Sequence, residues 1–245
     1  MFGLITVKTS SKRLPNKCLL PFGNETVISH VIKRAIDYGI IPIVCTSNDS
    51  SDDVLQKLSE DLGVKCFRGS LVNKMKRWLD CAKKYNLKTF HSIDADDPFF
   101  DGELMIESMK YLKNNNLDVV CPTKSSSMGS ASVGYSIKTK ILEDSLKNIN
   151  ENEDTEMIWN FLNKVANIQM KELPESKLDT NKVRLTLDYE EDYLLLTAIV
   201  RILGNKATRK EVERLLIRNP DLYKINFFRN KEWKNLQLSK GKNEK

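Results

Sequence analysis

Histidine is nearly missing from this chain. The 245 residues hold two, His30 in a helical pattern and His91 in a strand pattern. Both read as structural, so no histidine base is invoked. Cysteine is sparse and scattered: Cys18, Cys45, Cys66, Cys81 and Cys121 form no C-x-x-C pair and are odd in number. That spacing excludes a zinc-finger framework and fits free thiols in a reducing compartment, so a cytoplasmic protein is expected. No apolar run approaches the roughly 20 residues of a membrane span, and Met1 leads directly into a strand, so neither a span nor a signal peptide is expected. Internal repeats, RRM motifs and basic heptads are absent as well. The formal net charge is only +6, with much of the excess in residues 8–17 and the tail Lys240–Lys245. A nucleic-acid partner is therefore not expected, and anionic small molecules are the more economical one.

What the chain does have is apolar content, 40% hydrophobic against 29% charged, enough for one sizeable core. Short apolar runs at Leu4–Val7, Ile40–Thr46, Val64–Phe67, Thr89–Ile93 and Asp118–Cys121 alternate with helical spacings at Val27–Tyr38, Asp53–Leu62, Lys74–Tyr85 and Leu104–Leu112. This predicts an α/β fold, a mostly parallel sheet flanked by helices, with ligands beyond the carboxyl ends of the strands. Further on, spacing predicts strands over Val133–Ile137 and Val183–Leu187 and helices over Lys138–Ile149, Thr155–Val165 and Thr208–Leu216. Residues 122–134 read as a mobile loop over the active site. The range 1–238 reads as one domain, with Phe228 and Trp233 packing back on it and a disordered tail at 239–245.

Several strand ends carry polar chemistry. After the first strand comes a loop, Lys8-Thr-Ser-Ser-Lys-Arg-Leu-Pro-Asn-Lys17, where Lys8, Lys12, Arg13 and Lys17 alternate with Thr9, Ser10, Ser11 and Asn16. Cations, hydroxyls and backbone N–H groups on a loop leaving a strand suit a polyphosphate. The strand 89–93 delivers Asp94-Ala-Asp96-Asp97-Pro98. Carboxylates so crowded repel one another without a cation, and hard oxygen ligands beside a triphosphate suit Mg²⁺; an Asx-Pro turn is the other reading. Asp188 ends the run 183–187, as a metal ligand or as a helix N-cap. Arg68, before Gly69-Ser70, either faces the nucleotide or sits on a turn.

The first loop resembles the signature of the cytidylyltransferases that make CMP-activated acidic sugars, the CMP-Kdo and CMP-acylneuraminate synthetases. It is most similar to the branch named after spore coat polysaccharide biosynthesis protein F. That pattern is Arg-x-Gly-Ser-x-Arg-Leu-Pro-Gly-Lys; Ser11, Arg13, Leu14, Pro15 and Lys17 match it. Lys8 stands in place of Arg, losing the bidentate fork, and Ser10 and Asn16 stand in place of Gly. Asp96 matches the Ala-Asp-x-Pro-Phe station, and Arg184 to Asp192 match Arg-Leu-Thr-x-Asp-x-x-Glu-Asp. Asp94 falls where that family has a neutral residue.

The resemblance implies a Rossmann-like, GT-A-type nucleotidyltransferase with a small insertion, about 123–180, for substrate and dimerisation. It implies CMP transfer from CTP to an acidic sugar or related anionic acceptor, with release of pyrophosphate, for surface polysaccharide biosynthesis. Lys8, Arg13 and Lys17 are then the catalytic cations. Ser10, Ser11, Lys12, Arg68 and Asp94 are nucleotide contacts, Asp96 and Asp188 hold Mg²⁺, and Asp192 belongs to a helix start. Asp192→Asn is expected to cost turnover much less than Asp96→Asn or Asp188→Asn. A homodimer is expected, on the apolar stripe Met157, Ile158, Trp159 and Phe161. The rival readings are a nucleotide-sugar glycosyltransferase, which has fewer phosphates to hold, and a non-catalytic nucleotide-binding homologue.

Overall fold

The computed structural model describes residues 1–124, 128–147, 149–174 and 183–242. A seven-stranded sheet runs in the order β5 (Lys65–Gly69), β4 (Ile41–Ser47), β1 (Phe2–Thr6), β6 (Thr89–Asp94), β8 (Ser136–Lys138), β7 (Val119–Cys121), β9 (Met170–Glu172). Every pairing is parallel except the two made by β8. Its central strands are apolar on both faces, as a sheet covered on both sides requires. Ile5, Val44 and Ile93 face α1 (Val27–Asp37) and α4 (Gly102–Asn114), while Leu4, Ile43 and Phe90 face α3 (Lys74–Lys84), α5 (Thr139–Leu146) and α6 (Trp159–Leu162). A third cluster packs α7 (Glu190–Leu203) and α8 (Arg209–Arg218) around Phe22, Phe99, Leu185 and Leu187. The short hairpin of β2 (Pro21–Phe22) and β3 (Glu25–Thr26), with α2 (Asp53–Asp61), α9 (Pro220–Lys224) and α10 (Arg229–Lys242), completes the chain. Among the described residues no helix is long and apolar enough to cross a membrane.

The helix starts are set by side chains that accept orphan N–H groups. Thr26, Asn73, Asp101 and Thr208 take bonds from Ser29, Lys76, Leu104 and Glu211, and Thr208 with Glu211 forms the capping box legible in the sequence.

Several expectations are corrected. Val183–Leu187 is not a sheet strand: Leu185 and Thr186 donate to the Gly129 carbonyl and Leu187 to the Asp96 carbonyl. Its alternation reflects Val183, Leu185 and Leu187 entering the third cluster. The expected helix 155–165 shortens to α6, and that over 138–149 to α5. Met157, Ile158 and Phe161 are buried in this chain's own core, so the stripe offers a partner only Trp159, which is 46% exposed. The described residues of the range 123–180 supply β8, α5, α6 and β9 to the main body. The described part of the loop 122–134 is tied down through Gly129 and Val133. Gly134 has φ +79, and a Cβ there would overlap the Ser92 carbonyl oxygen, so only glycine lets this segment cross β6. Phe228 is exposed rather than packed. The chain continues as helix past Leu238 to Lys242. Parts of the expected loop, insertion and tail, at 125–127, 148, 175–182 and 243–245, lie outside the described residues.

Candidate active site

The loop after β1 is built on one buried carboxylate. Asp52 accepts from the Thr9 N–H and hydroxyl at 2.8 Å each, from the Thr46 hydroxyl at 2.8 Å, and from the Ser47 hydroxyl and N–H. Burial alone would raise its pKa; the bonds from Ser47, Thr9 and Thr46 outweigh that and hold it below the usual carboxylate range. The loop is thereby strapped to the end of β4. At its far end Leu14 and Cys18 are buried. Asn16 sits at φ 52, the left-handed conformation that Gly or Asn adopts most readily, which accounts for Asn where the family pattern has Gly. Ser10 keeps a negative φ, so a side chain there costs the loop no backbone strain.

Two carboxylates separated in sequence converge on this loop. The Lys17 ammonium lies 2.7 Å from Asp96 and 2.8 Å from Asp188, and also donates to the Leu187 carbonyl. Arg13 reaches the same Asp188 oxygen at 2.6 Å. Burial opposes the Lys17 charge, but Asp96 and Asp188 outweigh it and raise the pKa. Burial likewise opposes the Asp188 charge, and Lys17 and Arg13 reverse that and lower its pKa. The bond from the Leu187 N–H to the Asp96 carbonyl, 2.7 Å, fastens the two carboxylate segments together although 183–188 is no strand.

This arrangement fits a divalent cation. The ammonium already marks a point that both carboxylates reach. Among the described residues no three His, Cys, Asp or Glu side chains group as ligands. Two carboxylates plus water and phosphate oxygens is the set that Mg²⁺ takes beside a triphosphate.

The other predicted residues divide. Asp94 pairs with the buried Lys74 at 3.1 Å, and Lys74 also reaches Glu156 at 3.5 Å. Burial raises the Asp94 pKa and Lys74 only partly offsets it. Lys8 donates to the Leu71 carbonyl, its pKa lowered by burial and then by Arg77. Ser10 and Lys12 are exposed on the loop and Ser11 is half-buried. Arg68 is not brought to the Lys17 cluster: it holds Asp53, the Ser47 carbonyl and the Asp49 carbonyl, bracing the turn into α2. His30 and His91 bond backbone carbonyls, Pro98 and Val133, as structural histidines do.

Sequence reasoning did not foresee Asp52, nor the role of Arg184. Asp52 is one of several acidic residues in a polar loop, and nothing local singles it out. Arg184 grips Asp192 at 2.7 and 2.8 Å, both fully buried. Asp192 in turn accepts the N–H groups of Asp188 and Tyr189 at 2.9 and 3.0 Å. It does belong to the helix start, and through it Arg184 orients Asp188.

A mostly parallel sheet whose strand ends gather a basic loop and converging carboxylates defines a nucleotidyltransferase. The profile of the Cytidylyltransferase family matches residues 2–225, and the chain belongs to that family. It is 24% identical to spore coat polysaccharide biosynthesis protein SpsF of Bacillus subtilis, covering 89% of this chain and 94% of that protein. In fold it is similar to a cytidylyltransferase from Leptospira borgpetersenii, TM-score 0.79 at 22% identity, over 90% of this chain and 95% of that one. It is also similar to a CMP:2-keto-3-deoxy-manno-octonic acid synthetase complexed with CTP, TM-score 0.61 at 14% identity, over 82% and 98% of the two chains.

Proposed function

We propose that the protein transfers CMP from CTP to an anionic acceptor, an acidic sugar or related compound, for a surface polysaccharide. The observation that carries this is Lys17 bridging Asp96 and Asp188 with Arg13 beside it. In this reading Asp96 and Asp188 would hold Mg²⁺, which would supply charge neutralisation on the triphosphate and Lewis-acid polarisation of its phosphoryl oxygens. Lys17 and Arg13, released from the carboxylates, face the β- and γ-phosphate oxygens, with Lys8 across the loop. An acceptor hydroxyl attacks the α-phosphorus in line; the new O–P bond forms as the bond to the β-phosphate oxygen breaks, and the hydroxyl proton passes to solvent. Charge built up on pyrophosphate is met by fixed cations, so positioning and electrostatics supply the rate. The resemblance also implies a homodimer in the cytoplasm, with Trp159 as the stripe's exposed residue.

The test has two parts. CTP should raise the melting temperature in Mg²⁺ more than ATP, GTP or UTP. A panel of acidic sugars should then release pyrophosphate from CTP. Stabilisation by a nucleotide sugar without pyrophosphate release would favour a glycosyltransferase, and CTP binding without turnover across the panel a non-catalytic homologue.

A further inference from the structure

We propose that Tyr189 is a positioning residue for the loop cation Arg13, and that α10, through Arg229, holds Tyr189 in that role. Three guanidinium groups surround this one ring. Arg13, Arg184 and Arg229 lie 5.6, 5.4 and 4.8 Å from its centroid. The ring is buried, and its hydroxyl has no hydrogen-bond partner among the described residues. The aromatic faces, not the hydroxyl, therefore make its contacts.

The three arginines are not equally fixed. Arg184 is buried, held by both oxygens of Asp192 and by Asn230. Arg229 is held by both oxygens of Glu191, at 2.9 and 3.0 Å, and by Glu232 at 2.7 Å. Arg13 is paired with a single carboxylate, Asp188, which Lys17 also claims. Once Asp188 is engaged elsewhere, the Tyr189 face is what keeps Arg13 beside the phosphates. A cation over an aromatic face is stabilised without giving up its N–H donors, so Arg13 remains free to bond an anion. The C-terminal segment is tied into the same assembly: Asn226 donates to Asp192 and to the Arg184 carbonyl. Its attachment makes α10 part of the wall behind the triphosphate loop.

The proposal rests on the triphosphate reading of the first loop, and the test separates the two. Calorimetric titration in Mg²⁺ uses CTP and, separately, inorganic tripolyphosphate. Tyr189→Leu should weaken both titrants about five- to tenfold, the scale of one partly desolvated cation–π contact. Tyr189→Phe, which loses only an unpartnered hydroxyl, should restore affinity to within about twofold of the parent. Arg229→Met should weaken binding in the same direction by less. In an Arg13→Ala background, Tyr189→Leu should add nothing. Parent-like binding by Tyr189→Leu, equal losses for Phe and Leu, or a full further loss on the Arg13→Ala background each overturn the proposal. A lowered melting temperature with unchanged affinity does so too. A parent that binds tripolyphosphate but not CTP sinks the cytidine reading and leaves Tyr189 tested on phosphate; binding of neither sinks both.

Discussion

Replacing Asp192 by Asn takes from the fully buried Arg184 guanidinium the carboxylate that holds it by two bonds, and leaves it only Asp188 at 3.8 Å. Removing one partner of a buried ion pair costs about 3–5 kcal/mol where the remaining charge is neither solvated nor compensated; the distant Asp188 carboxylate compensates Arg184 in part. Asn keeps one acceptor, so the Asp188 and Tyr189 N–H groups lose only part of their bonding, and the lower end of that range applies. At about 2–4 °C per kcal/mol for a chain of this size, the melting temperature should fall by roughly 6–12 °C. The measurement is urea unfolding followed by far-UV circular dichroism, with Asp188→Asn as reference, since the Arg13 and Lys17 that it leaves are partly solvated. The double variant Arg184→Met/Asp192→Asn should recover part of the loss, because it removes the stranded guanidinium and keeps an acceptor for the Asp188 and Tyr189 N–H groups. Asp192→Asn unfolding within about 0.5 kcal/mol of the parent, the range of ordinary surface substitutions, would refute the reasoning. The loss falls on stability: Asp192 stands back from the two converging carboxylates but supports the Asp188 backbone.

Asp96→Asn and Asp188→Asn should each cost about 2–4 kcal/mol in activation free energy with the fold intact, the scale of removing one strong electrostatic stabiliser; single-turnover rates across a Mg²⁺ titration test this, and parent rates at limiting metal would dismiss the two-Asp site. Burial lowers the His91 pKa to about 4, so the unfolded chain binds the extra proton between that value and its ordinary pKa. Stability is then fully present above about pH 6.5 and declines by roughly 3 kcal/mol as pH falls to 4; His91→Gln should flatten this part of the stability–pH curve, and an unchanged slope would count against it. Light scattering should show a dimer that Trp159→Glu weakens; a monomeric parent at micromolar concentration would remove the homodimer.

Much of the sheet was legible because each central strand is a short apolar run ended by a polar loop, and each covering helix repeats apolar residues at helical spacing. Val183–Leu187 misled for a physical reason: an alternation of apolar and polar residues looks the same whether the backbone bonds to a strand or, as here, to the Gly129 and Asp96 carbonyls. The stripe at Met157 to Phe161 misled similarly, since an apolar face does not say whether its partner is the same chain or another. Arg68 was drawn to the nucleotide by its place at the end of β5, yet the carbonyls and carboxylate of the neighbouring turn satisfy it.

By itself the sequence determined what is local. Strand and helix periods, the Thr208–Glu211 capping box and the mix of cations and hydroxyls in the first loop depend on neighbours a few residues apart. The tertiary structure alone decided which distant charges meet. Lys17 joins Asp96 and Asp188, Thr9 and Thr46 share Asp52, Lys74 pairs with Asp94, and Arg229 comes back over Tyr189. Pairing of this kind depends on low-dielectric burial and on geometry fixed by the whole packed core, and neither is encoded in the spacing of any one segment.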